Sequence, residues 1–173
     1  MKITHVLPFL AAWLAAHPAA AVDYPGPSPG AARAACSAAE ATLENDAIAI
    51  RWTFADGRLK PDRLALKQSS TDLALAHTEC FSFALAQTPS PGARKLAASD
   101  LKLAEPPAIR QLQPVPGASR LGDRFGGWEL SARLTSAAPG LEVLWRAELR
   151  DGANYIRQEL AIRAPSEPLE LGE

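Results

Sequence analysis

Few residues in this chain have types that could do chemistry, and the acidic ones come first. Glu142, Glu148 and Glu159 fall on one polar face of an expected β-hairpin. Two carboxylates held about 5 to 10 Å apart on rigid neighbouring elements are the machinery of glycoside cleavage. Arg146 and Arg157 share that face, so neutralising pairs are the plainer use of the glutamates. Asp151, beside Arg150 at the hairpin tip, reads either as a carboxylate presented to a ligand or as a turn residue chosen for its tolerance of positive φ, and Asp56 reads the same way. Asn154 and Gln158 lie near the apolar face, with Gln158 as a buried polar group or a ligand contact opposite Trp145. Trp52, Trp128 and Trp145 occupy the apolar phase of their strands and read as core, which leaves Tyr155 as the aromatic placed to contact a ligand such as a sugar. There is no Ser-His-Asp set, phosphate loop or metal-ligand spacing, so no catalytic, cofactor or metal residue is named.

The element that would position most of these groups is LEVLWRAELRDGANYIRQELAIR, Leu141 to Arg163. Two alternating runs flank Asp151-Gly152, a pair that favours a two-residue type I′ turn. That turn sets Leu141 opposite Ile162, Val143 opposite Leu160, Trp145 opposite Gln158 and Ala147 opposite Ile156, giving one nearly apolar face. Leu141, Val143, Trp145, Ile156, Leu160 and Ile162 are therefore expected to be buried.

Upstream, Ile48, Ile50, Trp52 and Phe54 alternate with polar or small residues inside a strand pattern over 42–54. Asp56-Gly57 then turns the chain into a second run. A strict turn would oppose Ile50 with Arg63 and ask Pro61 for a hydrogen bond it cannot give. A bulge near Lys60-Pro61 is expected instead, bringing Leu64 and Leu66 opposite Ile50 and Ile48. Short strands follow at Leu73–Ala76 and Phe81–Ala86. Residues 88–117, rich in proline, read as a loop with one short strand at Leu101–Leu103, the alternative being a helix over 94–103. Trp128 to Thr135 alternates again, Pro139-Gly140 turns into the hairpin, and Leu169 starts a strand that stops at Glu173. Many short strands and no strong helix give an all-β class, an antiparallel β-sandwich over 42–173 whose last strand lacks its remainder.

With 173 residues and 47% hydrophobic content there is material for one core and too little for an α/β barrel as well. A net charge of −1 disfavours nucleic acid as a partner. Residues 1–21, with Lys2, an apolar run from Val6 to Ala16 and small residues at Ala19 and Ala21, read as a secretory signal cleaved before Val22, the alternative being an uncleaved anchor. Residues 22–41 read as a flexible Pro/Ala-rich linker. Export makes the domain periplasmic or secreted, with no membrane contact after cleavage, and makes Cys36 and Cys80 candidates for one disulfide, two unrelated thiols being the alternative.

Three stretches carry a resemblance: ENDAIAIRWTFADGRLKP at 44–61, ASRLGDRFGGWELSARL at 118–134, and WRAELRDGANYIRQELAI at 145–162. They resemble the N-terminal β-supersandwich, of the galactose-mutarotase-like type, that precedes the catalytic barrel in bacterial α-galactosidase-like retaining glycoside hydrolases. The resemblance covers roughly 43–173. It implies that the catalytic aspartates belong to a barrel this chain lacks, so no catalytic role passes to any residue here. The expectation is a non-catalytic accessory domain or fragment, with a carbohydrate or a barrel domain as partner. A stand-alone carbohydrate- or protein-binding module, open to association through an edge strand, is the alternative.

Overall fold

Strict alternation of apolar and polar residues decides which side of each strand turns inward. In the computed structural model, which describes residues 26–86, 93–136 and 140–164, that alternation builds an all-β molecule of antiparallel sheets. The expected signal at 1–21, Pro139 and the strand begun at Leu169 lie outside the described residues.

The first sheet is a five-stranded meander: β1 (Arg33–Cys36), β2 (Glu40–Glu44), β3 (Ile48–Thr53), β4 (Lys60–Leu66) and β5 (Thr71–Ala74), side by side in that order. A separate hairpin pairs β6 (Ser82–Ala86) with β7 (Ala93–Ala97). In the second large sheet, β12 (Arg157–Arg163) pairs with β11 (Glu142–Arg150) and β11 with β10 (Gly127–Thr135). The far edge of β10 is shared by β8 (Lys102–Leu103) and β9 (Ala108–Leu112). Among the described residues the only helical pieces are one-turn 3₁₀ segments.

The core lies between the two large sheets. Ile48, Ile50, Trp52 and Phe54 all point inward from one, and Leu141, Val143, Trp145, Ala147 and Leu149 from the other. Trp52 meets Trp145 edge to face, centroids 5.2 Å apart at 74°, an arrangement that places ring edge against ring face. Ala132 is the cross-strand partner of Trp145, so a small residue makes room for the largest one. Trp128, expected in the core, is only half-buried at its margin.

The second turn and its bulge form as the sequence predicts. Asp56 (φ 54°) and Gly57 (φ 70°) both adopt the left-handed conformation and Arg58 N donates to Ala55 O at 3.0 Å, as a type I′ turn requires. Ile48 opposes Leu66 and Ile50 opposes Leu64. The register then jumps past Asp62, so that Trp52 opposes Pro61.

The hairpin Leu141–Arg163 differs from expectation in register. Val143 opposes Ile162, Trp145 opposes Leu160 and Ala147 opposes Gln158, a slip of two residues that leaves every side chain on its expected face. The tip residues bond outside the hairpin, Asp151 N to Gly126 O and Gly152 N to Gly30 O, in place of the local turn, and the new register also separates like charges. The two-residue turn would set Arg146 against Arg157, whereas the observed register pairs Glu142 with Arg163, Arg146 with Glu159 and Glu148 with Arg157. Residues 151–156 form a longer connection, and its left-handed residue is Gly152 (φ 74°), not Asp151. Leu160, expected to be buried, is 40% exposed, because β12 is the outer strand of its sheet; Ile156 and Ile162 are half-buried.

Three further segments depart from expectation. Strand β1 and the start of β2 lie inside the stretch read as linker, and Ala32 and Ala41 there are buried. The run 42–54 is two strands joined by a tight turn at Asn45-Asp46. The Pro-rich region contains β7 and β9 besides the anticipated strand near Leu101–Leu103, and 94–103 holds a single 3₁₀ turn, Ala98–Asp100, in place of an α-helix.

Candidate functional site

Three segments distant in sequence converge at one end of the sandwich. The chain before β1 crosses that end as a strap. Pro29 O accepts from Asp46 N at 2.8 Å, Gly30 O accepts from Gly152 N at 2.8 Å, and Ala32 N donates to Asp151 Oδ1 at 2.8 Å. Beneath it Asn45, wholly buried, donates from Nδ2 to Ala153 O at 2.6 Å. On the other side the 3₁₀ segment Leu121–Arg124 is held by Arg150, which donates to Phe125 O and to Asp123 Oδ1, each at 3.1 Å.

Between these segments lies a cleft of about 190 Å³. Pro29, Leu121, Phe125, Ala153 and the Tyr155 ring supply apolar wall, and Arg150 and Asp151 supply charge. Tyr155 is 54% exposed, and its hydroxyl rests so close to Gly122 that a Cβ there would approach it to 3.4 Å. A dry cavity of roughly 150 Å³ accepts benzene, so this cleft has room for a single six-membered ring.

Its charges are unevenly satisfied. Glu148, nearly buried, receives Arg150 at 3.3 Å and lies 3.8 Å from both Arg120 and Arg157. Arg157 also pairs with Glu159, and Arg146 lies 3.9 Å from Glu159. Alongside, Glu129 opposes Glu148 across the strands and is chelated by Arg110, with both oxygens 3.1 Å from Nη2. The two like charges are thus flanked by arginines in a cross-strand row Arg110–Glu129–Glu148–Arg157. The neutralisation expected of Arg146 and Arg157 is thus observed, with Arg110, Arg120 and Arg150 added. Asp151 has no ion-pair partner among the described residues. Its Oδ2 lies over Gly126, where a Cβ would come within 2.8 Å. Arg150 Nε is buried and takes no hydrogen-bond partner among the described residues.

No family model, curated protein or solved structure matches this chain. The site therefore rests on its own geometry.

Of the residues singled out in the sequence, the structure brings Tyr155 and Asp151 to one cleft. Asn154 is exposed. Gln158 is exposed rather than buried; it stands opposite Ala147 and its Oε1 accepts the Trp145 indole N–H at 2.8 Å. Cys36 and Cys80 are two free thiols and not a disulfide. Cys36 Sγ lies 3.6 Å from the Ser37 and Pro107 carbonyls. Burial, seconded by Glu79 and opposed by the Trp52 indole, pushes the Cys80 thiol up to about 12. Among the described residues no three His, Cys, Asp or Glu side chains group to hold a metal. Leu121, Phe125 and Arg150 were not legible as site residues, since the loop carrying the first two reaches the hairpin tip only through tertiary packing. Their one sequence signal is the Gly126-Gly127 pair that lets it approach.

Proposed function

We propose that this chain is a non-catalytic β-sandwich domain of an exported α-galactosidase-like glycoside hydrolase, contacting carbohydrate through the cleft at Tyr155. The observation that carries the reading is the half-exposed Tyr155 ring beside an apolar, ring-sized cleft, the combination that sugar stacking uses. Two further points support it. The three stretches quoted above resemble the domain preceding the catalytic barrel in those enzymes. The nearly buried carboxylates, Glu129 and Glu148, are engaged by arginines and do not converge on the cleft as an acid and base would. Export through residues 1–21 belongs to the same reading.

The alternative reading, a stand-alone binding module, would use the same cleft.

Calorimetric titration of the purified chain with galactosides, set beside Tyr155→Ala, tests the sugar contact. Measurable affinity lost in the variant is expected, and unchanged binding would count against it. Release of nitrophenol from an aryl α-galactoside by the chain alone would overturn the non-catalytic assignment. Coding sequence downstream of Glu173 that continues into a barrel separates the accessory domain from the stand-alone module.

A further inference from the structure

Resting on the sugar-contacting reading, we infer that Asp151 is the specificity determinant of the cleft: it selects neutral or cationic pyranose rings and rejects acidic ones. The inference comes from which charges around the cleft are already spent. Arg150 lines it, but its guanidinium is taken by Asp123 at 3.1 Å, Glu148 at 3.3 Å and the Phe125 carbonyl at 3.1 Å. Arg120 and Arg157 are likewise turned to Asp123, Glu148 and Glu159. Arg150 Nε, which has no hydrogen-bond partner among the described residues, is buried and does not reach a ligand carboxylate in the cleft.

Asp151 stands in the opposite position. Its Oδ1 accepts from Ala32 N at 2.8 Å, which fixes the side chain, while Oδ2 receives no hydrogen bond among the described residues. A carboxylate at the cleft with one oxygen free accepts hydroxyl or ammonium donors. It repels a second carboxylate brought beside it. A sugar ring stacked on Tyr155 would thus present hydroxyl donors to Oδ2, and a uronate would bring its charge to a site with no cation to spare.

The test is a titration with three versions of one ring, methyl galactoside, galactosamine and galacturonate, against the chain and its Asp151→Asn variant. The variant keeps an oxygen for Ala32 N and replaces the free acceptor with an amide donor. For the native chain, galacturonate should bind about tenfold or more weaker than the neutral ring, with galactosamine at least equal to it. In Asp151→Asn that discrimination should collapse. Galacturonate binding as tightly as methyl galactoside, or a preference unchanged in the variant, would overturn the inference while leaving the sugar reading intact. Binding of none of the three rings to the native chain would remove both. Matching circular-dichroism melts for the two proteins exclude a folding defect as the source of a difference.

Discussion

Asn45 Nδ2 donates to the carbonyl of Ala153 at 2.6 Å, a buried hydrogen bond between residues 108 positions apart. Its Oδ1 accepts from Ala47 N at 2.9 Å and Ile48 N at 3.0 Å, so one side chain shapes the β2–β3 turn and ties it to the opposite sheet. The loop that carries Tyr155 is thereby fixed to the β2–β3 turn beneath the strap.

Removing that side chain strands a buried carbonyl and two amide groups. Asn45→Ala should therefore destabilise the domain by about 2 to 4 kcal/mol, while removal of its exposed neighbour Asp46, which makes a surface ion pair with Arg33, should have a much smaller effect. Urea denaturation of Asn45→Ala and Asp46→Ala makes the comparison. Equal, small effects would show that the Asn45 contact does not hold the two sheets together.

Trp145 and Ala132 are matched in size across the β10–β11 ladder, and both are buried. Trp145→Ala should cost about 3 to 5 kcal/mol through the cavity it leaves. Ala132→Leu should cost about 1 to 3 kcal/mol through overpacking. Thermal melts of both variants check this; an unaltered midpoint in either would contradict the packing described.

At Gly127 a Cβ would lie 2.3 Å from the Leu149 carbonyl oxygen and 2.8 Å from Arg150 Cα. Both are backbone atoms of the paired strand and cannot swing aside. Gly127→Ala should fail to accumulate as folded protein or melt far below the parent. By contrast Gly57→Ala meets open space and carries only the strain of its positive φ, about 1 to 2 kcal/mol. Comparable melts for the two would contradict the strand approach.

The half-buried thiol of Cys80 is pushed up from its ordinary value of 9.0 to about 12. Across that interval the folded state keeps a proton that the unfolded state has released. Its contribution is therefore full below about 9 and is lost as pH rises toward about 12. The native chain should lose more stability between neutral pH and pH 11 than Cys80→Ala does. In the folded protein Cys80 should also resist thiol reagents. Parallel pH–stability curves, or fast labelling of Cys80 at pH 8, would contradict its burial.

What the sequence made legible follows the range of the forces involved. Period-two alternation exposed β3, β10 and β11, because Ile50, Trp52, Leu130 and Trp145 each sit in a run long enough to show the period. The bulge at Asp62 was legible because Pro61 lacks a ladder donor. The two Asp-Gly pairs, alike in sequence, then diverge. Asp56-Gly57 forms its local turn, but Asp151 N and Gly152 N are drawn to Gly126 O and Gly30 O, acceptors that no local pattern reveals. Strand β1 was hidden in Arg33-Ala34-Ala35-Cys36, whose small side chains carry almost no periodic signal. At the cleft, Tyr155 stood out as an aromatic off the apolar phase. Leu121, Phe125 and the strap at Pro29 did not, since they arrive by packing alone.

The central claim, that carbohydrate meets this domain at the end of the sandwich where Tyr155, Asp151 and Gly122 converge, is tested most directly by amide chemical-shift mapping. Titration of the isotope-labelled chain with methyl galactoside should shift the amides of Gly122, Phe125 and Asp151 to Tyr155 together, in a saturable manner, and leave the Thr42–Ala65 face of the first sheet unmoved. Shifts confined to that face, or no shifts at all, would contradict it.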